Sequence, residues 1–292
     1  MTPPALTNKG ENMMENKLFY TEKITDHITR IVMPGQVFGY LVVGSERAVL
    51  IDTGCGIGDL RSFVEQLTDK PVTVLLTHGH LDHAPGAVQF DEVYMCVLDN
   101  EMVGIHSVPE RRFGFAAGTD GEENIRYTMD DVLPADDPSR YHDLCDGDVF
   151  LLGDYAVEVF SCPGHTQGSK CFLMCEDRIL LTGDACNPFT FLFGPAAKGL
   201  KSYEESLERL LQCASGRYDR ILVSHGVGEI ASRTMIEENL QVIRDIRSGN
   251  VVNTPFGFGA SKGLFIAKEH PRLNEYGEVM ANIVYDPARI EE

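Results

Sequence analysis

Thr77-His78-Gly79-His80-Leu81-Asp82-His83 is the stretch on which the reading of this chain turns. Four side chains able to bind a metal, His78, His80, Asp82 and His83, fall within six residues. They follow directly on Val72–Leu76, a continuous apolar run of the kind that forms a strand buried on both faces. A strand end holds the loop after it rigidly, which suits a preorganised site. Imidazole and carboxylate donors suit zinc, with iron and manganese also compatible. A tetrahedral zinc that keeps an open position takes three protein ligands, so four here and others elsewhere imply two ions.

Working outward, three more expected strand ends carry a donor. His165 lies in Cys162-Pro163-Gly164-His165-Thr166-Gln167-Gly168-Ser169, a tight turn after the strand expected at Ala156–Phe160. Asp184 closes Ile179–Thr182 as Thr182-Gly183-Asp184, and His225 closes Ile221–Ser224 as Ser224-His225-Gly226. A glycine adjoins each donor and lets the backbone turn sharply. The other four histidines, His27, His106, His142 and His270, sit in ordinary polar or loop surroundings. His106 and His142 fall in a long irregular segment from which either can reach over the site.

The hydrophobic pattern around these ends alternates between strand and helix. Ile28–Met33, Val37–Val43 and Ala48–Asp52 read as an antiparallel meander. Gly56–Asp69 has helical spacing, Ala84–Val88 opens a helix, and Val93–Val97 is another strand. Residues 99–146 are too long for a simple connection and read as an insertion that caps the site. Strands resume at Val149–Leu152, Ala156–Phe160, Lys170–Cys175 and Ile179–Thr182, followed by helices at Ser202–Ser215 and Ile230–Ile246. The tail, residues 250–292, is rich in glycine and aromatics and ends in β-like Ala281–Tyr285. Strands, then strands mixed with helices, twice over, predict an α/β sandwich with helices outside two packed sheets. Phe113 and Phe115 in the insertion and Phe256, Phe258 and Phe265 in the tail are candidates to choose the substrate.

Composition narrows the partners. The net charge is −19, from 44 acidic and 25 basic residues, which repels a phosphate backbone and an anionic membrane surface. A small-molecule substrate is therefore expected, with no nucleic acid and no membrane. No apolar run is long enough for a transmembrane helix. Residues 1–17 are polar and lack a signal-peptide pattern, so they read as a flexible leader, with Met14 as a second candidate start. The eight cysteines lack zinc-type spacing, which fits reduced thiols and a cytoplasmic setting. Cys171 and Cys175 suit strand packing, and Cys186, two residues after Asp184, is a candidate to line the site. A homodimer is compatible with the sequence, but no feature supports one.

The chain resembles the metallo-β-lactamase fold superfamily. The motifs that carry the likeness are Asp52-Thr53-Gly54, His78 to His83, Gly164-His165-Thr166, Gly183-Asp184 and Ser224-His225-Gly226, in the family's order. The resemblance implies an αββα four-layer sandwich of two packed mixed sheets with outer helices, residues 18–292 forming one domain. It implies that His78, His80 and His165 hold one metal, that Asp82, His83 and His225 hold the second, and that Asp184 bridges both. Asp52 matches the family's aspartate that orients ligands without binding metal, although a turn aspartate fits the same position. Two divalent ions, zinc before iron or manganese, would activate water against a carbonyl or phosphoryl centre. Asp82 would serve as proton acceptor besides being a ligand.

That chemistry needs no serine or cysteine nucleophile, and no Gly-x-Ser-x-Gly elbow is evident. The expected activity is hydrolysis of a small ester, thioester, lactone or phosphoester, nearest to the glyoxalase II and lactonase branches. Lactonases carry a tyrosine shortly after the bridging aspartate, where this chain reads Ala185-Cys186-Asn187-Pro188-Phe189. The alternative is a non-haem iron oxidoreductase resembling persulfide dioxygenases. A scaffold role fits less well, because degenerate relatives lose ligands and this chain keeps all seven.

Overall fold

A computed structural model describes residues 15–226, 231–259, 261–268 and 272–292. Its first sheet opens with β1 (Tyr20–Lys23), β2 (Ile28–Met33), β3 (Val37–Val43) and β4 (Ala48–Ile51), paired antiparallel as the turn signals require. A short helix, α1 (Leu60–Glu65), crosses over to β5 (Val72–Leu75), which runs parallel to β4. The expected helix from Gly56 is shorter because Gly56 and Gly58 take positive φ, and Asp59 caps the first turn through Ser62 N. The helix expected at Ala84–Val88 is a single 3-10 turn, Pro85–Gln89. β6 (Val93–Met95) follows, again parallel.

The expected insertion contains α2 (Asn100–His106) and α3 (Pro109–Asp120), and its last residues return to the sheet as β7 (His142–Asp143), beside β6. Arg112 anchors it. This guanidinium is fully buried and donates to the carbonyls of Ser107, Cys55, Gly56 and Leu133, binding α3 to the loop after β4. Without those acceptors a buried cation would be untenable.

The second sheet contains β8 (Val149–Leu151), β9 (Ala156–Ser161), β10 (Lys170–Met174) and β11 (Ile179–Leu181), joined antiparallel. After β12 (Thr190–Leu192) and the amphipathic α4 (Leu200–Ala214), β13 (Arg220–Leu222) pairs parallel to β11. The last helix is α5 (Met235–Arg247), and Ile230, its expected start, lies outside the described residues. Ile28, Phe38, Val49, Ile51 and Leu75 of the first sheet meet Val157, Val159, Phe172, Leu181 and Leu222 of the second. The outer face of the first sheet packs Leu41, Leu50 and Val74 on Leu60, Phe63 and Val64 of α1. The outer face of the second packs Leu180 and Ile221 against Leu207, Leu210, Ile236 and Ile243 of α4 and α5. These are the four layers of the expected αββα sandwich.

The β-like stretch expected at Ala281–Tyr285 is present as a strand, and the tail adds two more that periodicity did not foresee. β14 (Thr254–Phe258), β15 (Ser261–Ile266) and β16 (Ile283–Tyr285) join β12 in a third, four-stranded sheet. At the other end, residues 1–14 of the expected leader lie outside the described residues, whereas Glu15 bridges to Tyr20 and Asn16 caps Leu18 N and Phe19 N. No helix is long and apolar enough to cross a membrane among the described residues.

Candidate metal centre

β4, β5, β11 and β13 all present their carboxyl ends to one edge of the sandwich, where crevices between parallel strands bind ligands. Asp52 follows β4, His78 follows β5, Asp184 follows β11 and His225 follows β13, while His165 comes from the turn after β9. All seven expected donors meet there. Ligand atoms of His78, His80 and His165 lie within 4.8 Å of one another, as do those of His78, His83 and Asp184, and those of Asp82, His83 and His225.

Donors about 2.0–2.1 Å from a tetrahedral ion stand ~3.3 Å apart. Nε2 of His78 and Nε2 of His165 each lie 2.9 Å from Nδ1 of His80. Asp184 Oδ2 lies 3.5 Å from His83 Nε2, 3.4 Å from His225 Nε2 and 3.8 Å from His165 Nε2. Asp82 Oδ2 is 3.5 Å from His225 Nε2 and 3.6 Å from His83 Nε2.

Hydrogen bonds behind the rings decide which nitrogen faces inward. Thr77 Oγ1 donates to the Asp52 carboxylate at 2.8 Å, so its oxygen is free to accept from Nδ1–H of His78 at 2.9 Å. Nδ1–H of His83 donates to Asp52 Oδ2 at 2.9 Å, and Nδ1–H of His165 donates to the Phe191 carbonyl at 2.8 Å. Each of these rings therefore turns Nε2, and not Nδ1, into the crevice. One proton on His80 can satisfy His78 or His165 but not both, whereas a cation satisfies all three rings. Nε2 of His83 is buried without a hydrogen-bond partner. A buried polar nitrogen without a hydrogen bond costs free energy unless something occupies the space before it, so the donor set fits metal ions.

Asp52 has φ +62°, a left-handed conformation uncommon outside glycine, and still accepts from Thr77 N at 2.8 Å. Thr53 N and Thr53 Oγ1 both bond to the His83 carbonyl. The Asp52-Thr53 turn thus grips the His78 to His83 loop at both ends. Gly183 takes φ +54°, which lets the chain turn after β11 and deliver Asp184.

The electrostatics split the site. Burial, reinforced by the neighbouring imidazoles, holds His78 and His80 well below the usual histidine range. Burial also opposes charge on His83, but Asp82, Asp52 and Asp184 outweigh it and hold the ring well above that range. His225, a third exposed, is raised against its own burial by Asp184 and Asp82. Asp184 would be raised by burial, yet His225 and His83 pull it well below the usual carboxylate range.

Asp99 was not singled out in the sequence, and the structure places it beneath the centre. It is fully buried and accepts from Gly79 N at 3.0 Å, Thr166 Oγ1 at 2.7 Å and Gly168 N at 2.9 Å. It joins the His78-x-His80 segment to the His165 turn. A Cβ on Gly168 would lie 2.6 Å from the Asp99 carboxylate carbon, so only glycine allows that approach. The one sequence signal was an aspartate at the edge of an apolar strand, which is too common to be read.

Among the other candidates, His106 stacks on His80, with centroids 5.0 Å apart and planes 15° from parallel. His142 packs on Tyr94 and His27 on Tyr155, while His270 lies outside the described residues. Cys186 does not line the crevice. It is buried against α5, with Asn239 Nδ2 3.2 Å from its sulfur.

A family model described as the metallo-beta-lactamase superfamily matches residues 32–225. The chain is 27% identical to the human acyl-coenzyme A thioesterase MBLAC2, over 64% of this chain and 71% of that protein. It is 28% identical to the hydroxyacylglutathione hydrolase GloC of Haemophilus influenzae, over 48% of this chain and 61% of that protein. Among solved structures, a metallo-beta-lactamase from Erythrobacter litoralis superposes with a TM-score of 0.53 at 17% identity, covering 79% of this chain and 98% of that one. That likeness concerns the fold alone.

Proposed function

The chain belongs to the metallo-beta-lactamase superfamily and is a metallo-hydrolase, and from that premise we propose that the bond it cuts is a thioester. Two relatives support the choice, since an acyl-coenzyme A and a hydroxyacylglutathione are both thioesters. The carrying observation for the centre is the buried, partnerless Nε2 of His83, facing the same space as Asp82, Asp184 and His225. His78, His80 and His165 would hold one ion, Asp82, His83 and His225 the other, with Asp184 between them. Two ions there supply Lewis acidity that activates water and polarises the scissile carbonyl.

The chain's own residues do the rest. Asp52 and Thr77 fix the rings of His83 and His78, so their donor atoms need no reorganisation during reaction. Asp82, its carboxylate beside His225 and His83, accepts the proton lost by the attacking water. A thiol ionises near pH 8.5, whereas a hydroxyl group ionises near that of bulk water, about 15.7, so a thiolate departs without prior protonation where an alkoxide does not. A leaving group that needs no proton suits a site in which Asp82 serves as proton acceptor, and a thioester supplies one where an alkyl ester does not.

The test is metal analysis of the purified protein followed by assay on thioester, lactone and phosphodiester substrates. Two equivalents of a divalent metal with selective thioester turnover is the expected result. Iron with oxygen consumption on a persulfide would overturn it in favour of redox chemistry, and selective phosphodiester turnover would overturn the choice of bond.

A further inference from the structure

Five phenylalanine rings lie against one another on the third sheet. Phe189 stands 5.3 Å from Phe191 and 5.7 Å from Phe256, and Phe191 stands 5.2 Å from Phe193 and 5.0 Å from Phe258. Thr190 and Leu192 flank Phe191 on β12 and are buried, so strand alternation turns Phe191 to the opposite face. Phe256 and Phe258 stand on either side of a register shift in β14, and both rings reach Phe191, at 6.1 and 5.0 Å. This is not core: the rings are half-buried and Phe258 is 44% exposed. A contiguous apolar face on a soluble surface marks a place where something binds.

The ribbon is continuous with the metal centre. Residues 184–193 carry Asp184 at one end and three of the rings at the other. Asn187 Nδ2 bonds to Asp184 Oδ1 at 3.3 Å, Phe189 N donates to Asn187 Oδ1, and the Phe191 carbonyl accepts from His165. Charge adds a second argument. At a net −19 the protein's field does not attract an anionic thiol carrier, so grip on the substrate must come from the ions and from apolar contact.

We propose that these rings seat the apolar acyl arm of the substrate, with the scissile carbonyl at the metal centre. The proposal rests on the thioesterase reading. It makes the acyl arm a hydrocarbon chain, lying along Phe189, Phe191 and Phe256 to Phe258, and makes chain length the property the enzyme selects.

Two measurements on the zinc-loaded protein test it. The first compares kcat/KM for acetyl-, hexanoyl- and dodecanoyl-coenzyme A. The second measures calorimetric binding of acetate, hexanoate and dodecanoate, which needs no turnover. Both should strengthen about two- to four-fold per methylene until the ribbon is covered, as expected for partial to full burial of each group. The F256A/F258A double variant should lower the dodecanoyl-to-acetyl ratio at least ten-fold, and Phe258→Leu, which keeps an apolar side chain, should lower it less. Equal rates and equal binding across the three lengths would overturn the seat while leaving thioester hydrolysis standing. Steep binding of dodecanoate with no turnover of any thioester would support the seat and remove the thioesterase reading alone. A dimer that Phe258→Ser dissociates, with the length ratio unchanged, would assign the ribbon to a second copy and overturn the proposal.

Discussion

The two halves of the candidate metal centre share a crevice but differ in charge. His78, His80 and His165 face one another as three imidazoles, whereas His83 and His225 face the carboxylates of Asp82 and Asp184. In the first group burial keeps His78 and His80 neutral. In the second, paired carboxylates favour the protonated ring. A proton and a metal compete for the same lone pair, so His83 and His225 hold protons where His78 and His80 do not. Similar ligand atoms thus give one half that is ready for a cation and one that must first lose its protons.

Replacing Asp184 should erase the comparison, because that carboxylate touches both halves. Asp184→Ala is expected to lower kcat/KM about 1,000-fold or more, equivalent to ~4 kcal/mol of transition-state stabilisation. Metal content per chain should fall with it, and a variant that retained both ions and near-normal turnover would break the assignment.

Asp52→Asn should weaken both halves less, by about 10- to 100-fold in metal affinity, the usual scale for a group that orients a ligand. It holds His83 directly and His78 through Thr77. Competition with a chromophoric chelator would measure both steps, and an effect as large as that of Asp184→Ala would mean Asp52 binds metal itself.

Acidification should separate the halves. Protons compete at the raised His83 and His225 at a higher pH than at the depressed His78 and His80, so the second ion should leave first as pH falls. Metal release followed from pH 8 downward should show two steps, and a single step would refute the electrostatic split. The metal-free protein adds a check by linkage. The stability contributed by His83 is present below its unfolded pKa of about 6.5 and lost as pH rises through its raised folded value. The contribution of His78 and His80 is present above about 6.5 and lost as pH falls through their lowered values.

The smallest effect should come from Asp99→Asn, which keeps the shape but turns one acceptor into a donor facing backbone N–H groups. It should weaken only the first half, roughly ten-fold in metal affinity, since Gly79 and Thr166 adjoin His78, His80 and His165. Equal loss at both metal steps would show that Asp99 supports the whole loop cluster instead.

Much of this is legible in the sequence. The seven donors stand at strand ends that apolar runs and glycines mark, and the sheets and helices that carry them follow periodicity. Misjudged elements were those without period. Gly56 and Gly58 unwound the start of α1, and the tail's glycines concealed β14 and β15. Cys186 looked close to the site along the chain, but β11 turns at Gly183 and sends it into the core under α5.

What the sequence by itself determined is which seven candidate donors stand at strand ends, because a buried strand and the turn after it are local patterns. Only tertiary structure decided which nitrogen of each ring faces inward, why Asp99 sits beneath the centre and how the phenylalanines gather. Those outcomes depend on partners far apart along the chain, as when Asp99 accepts from Thr166 and Gly168, and His165 donates to Phe191. Hydrogen bonds and ring contacts of that reach have no spacing to betray them; they exist only once the sheets have packed.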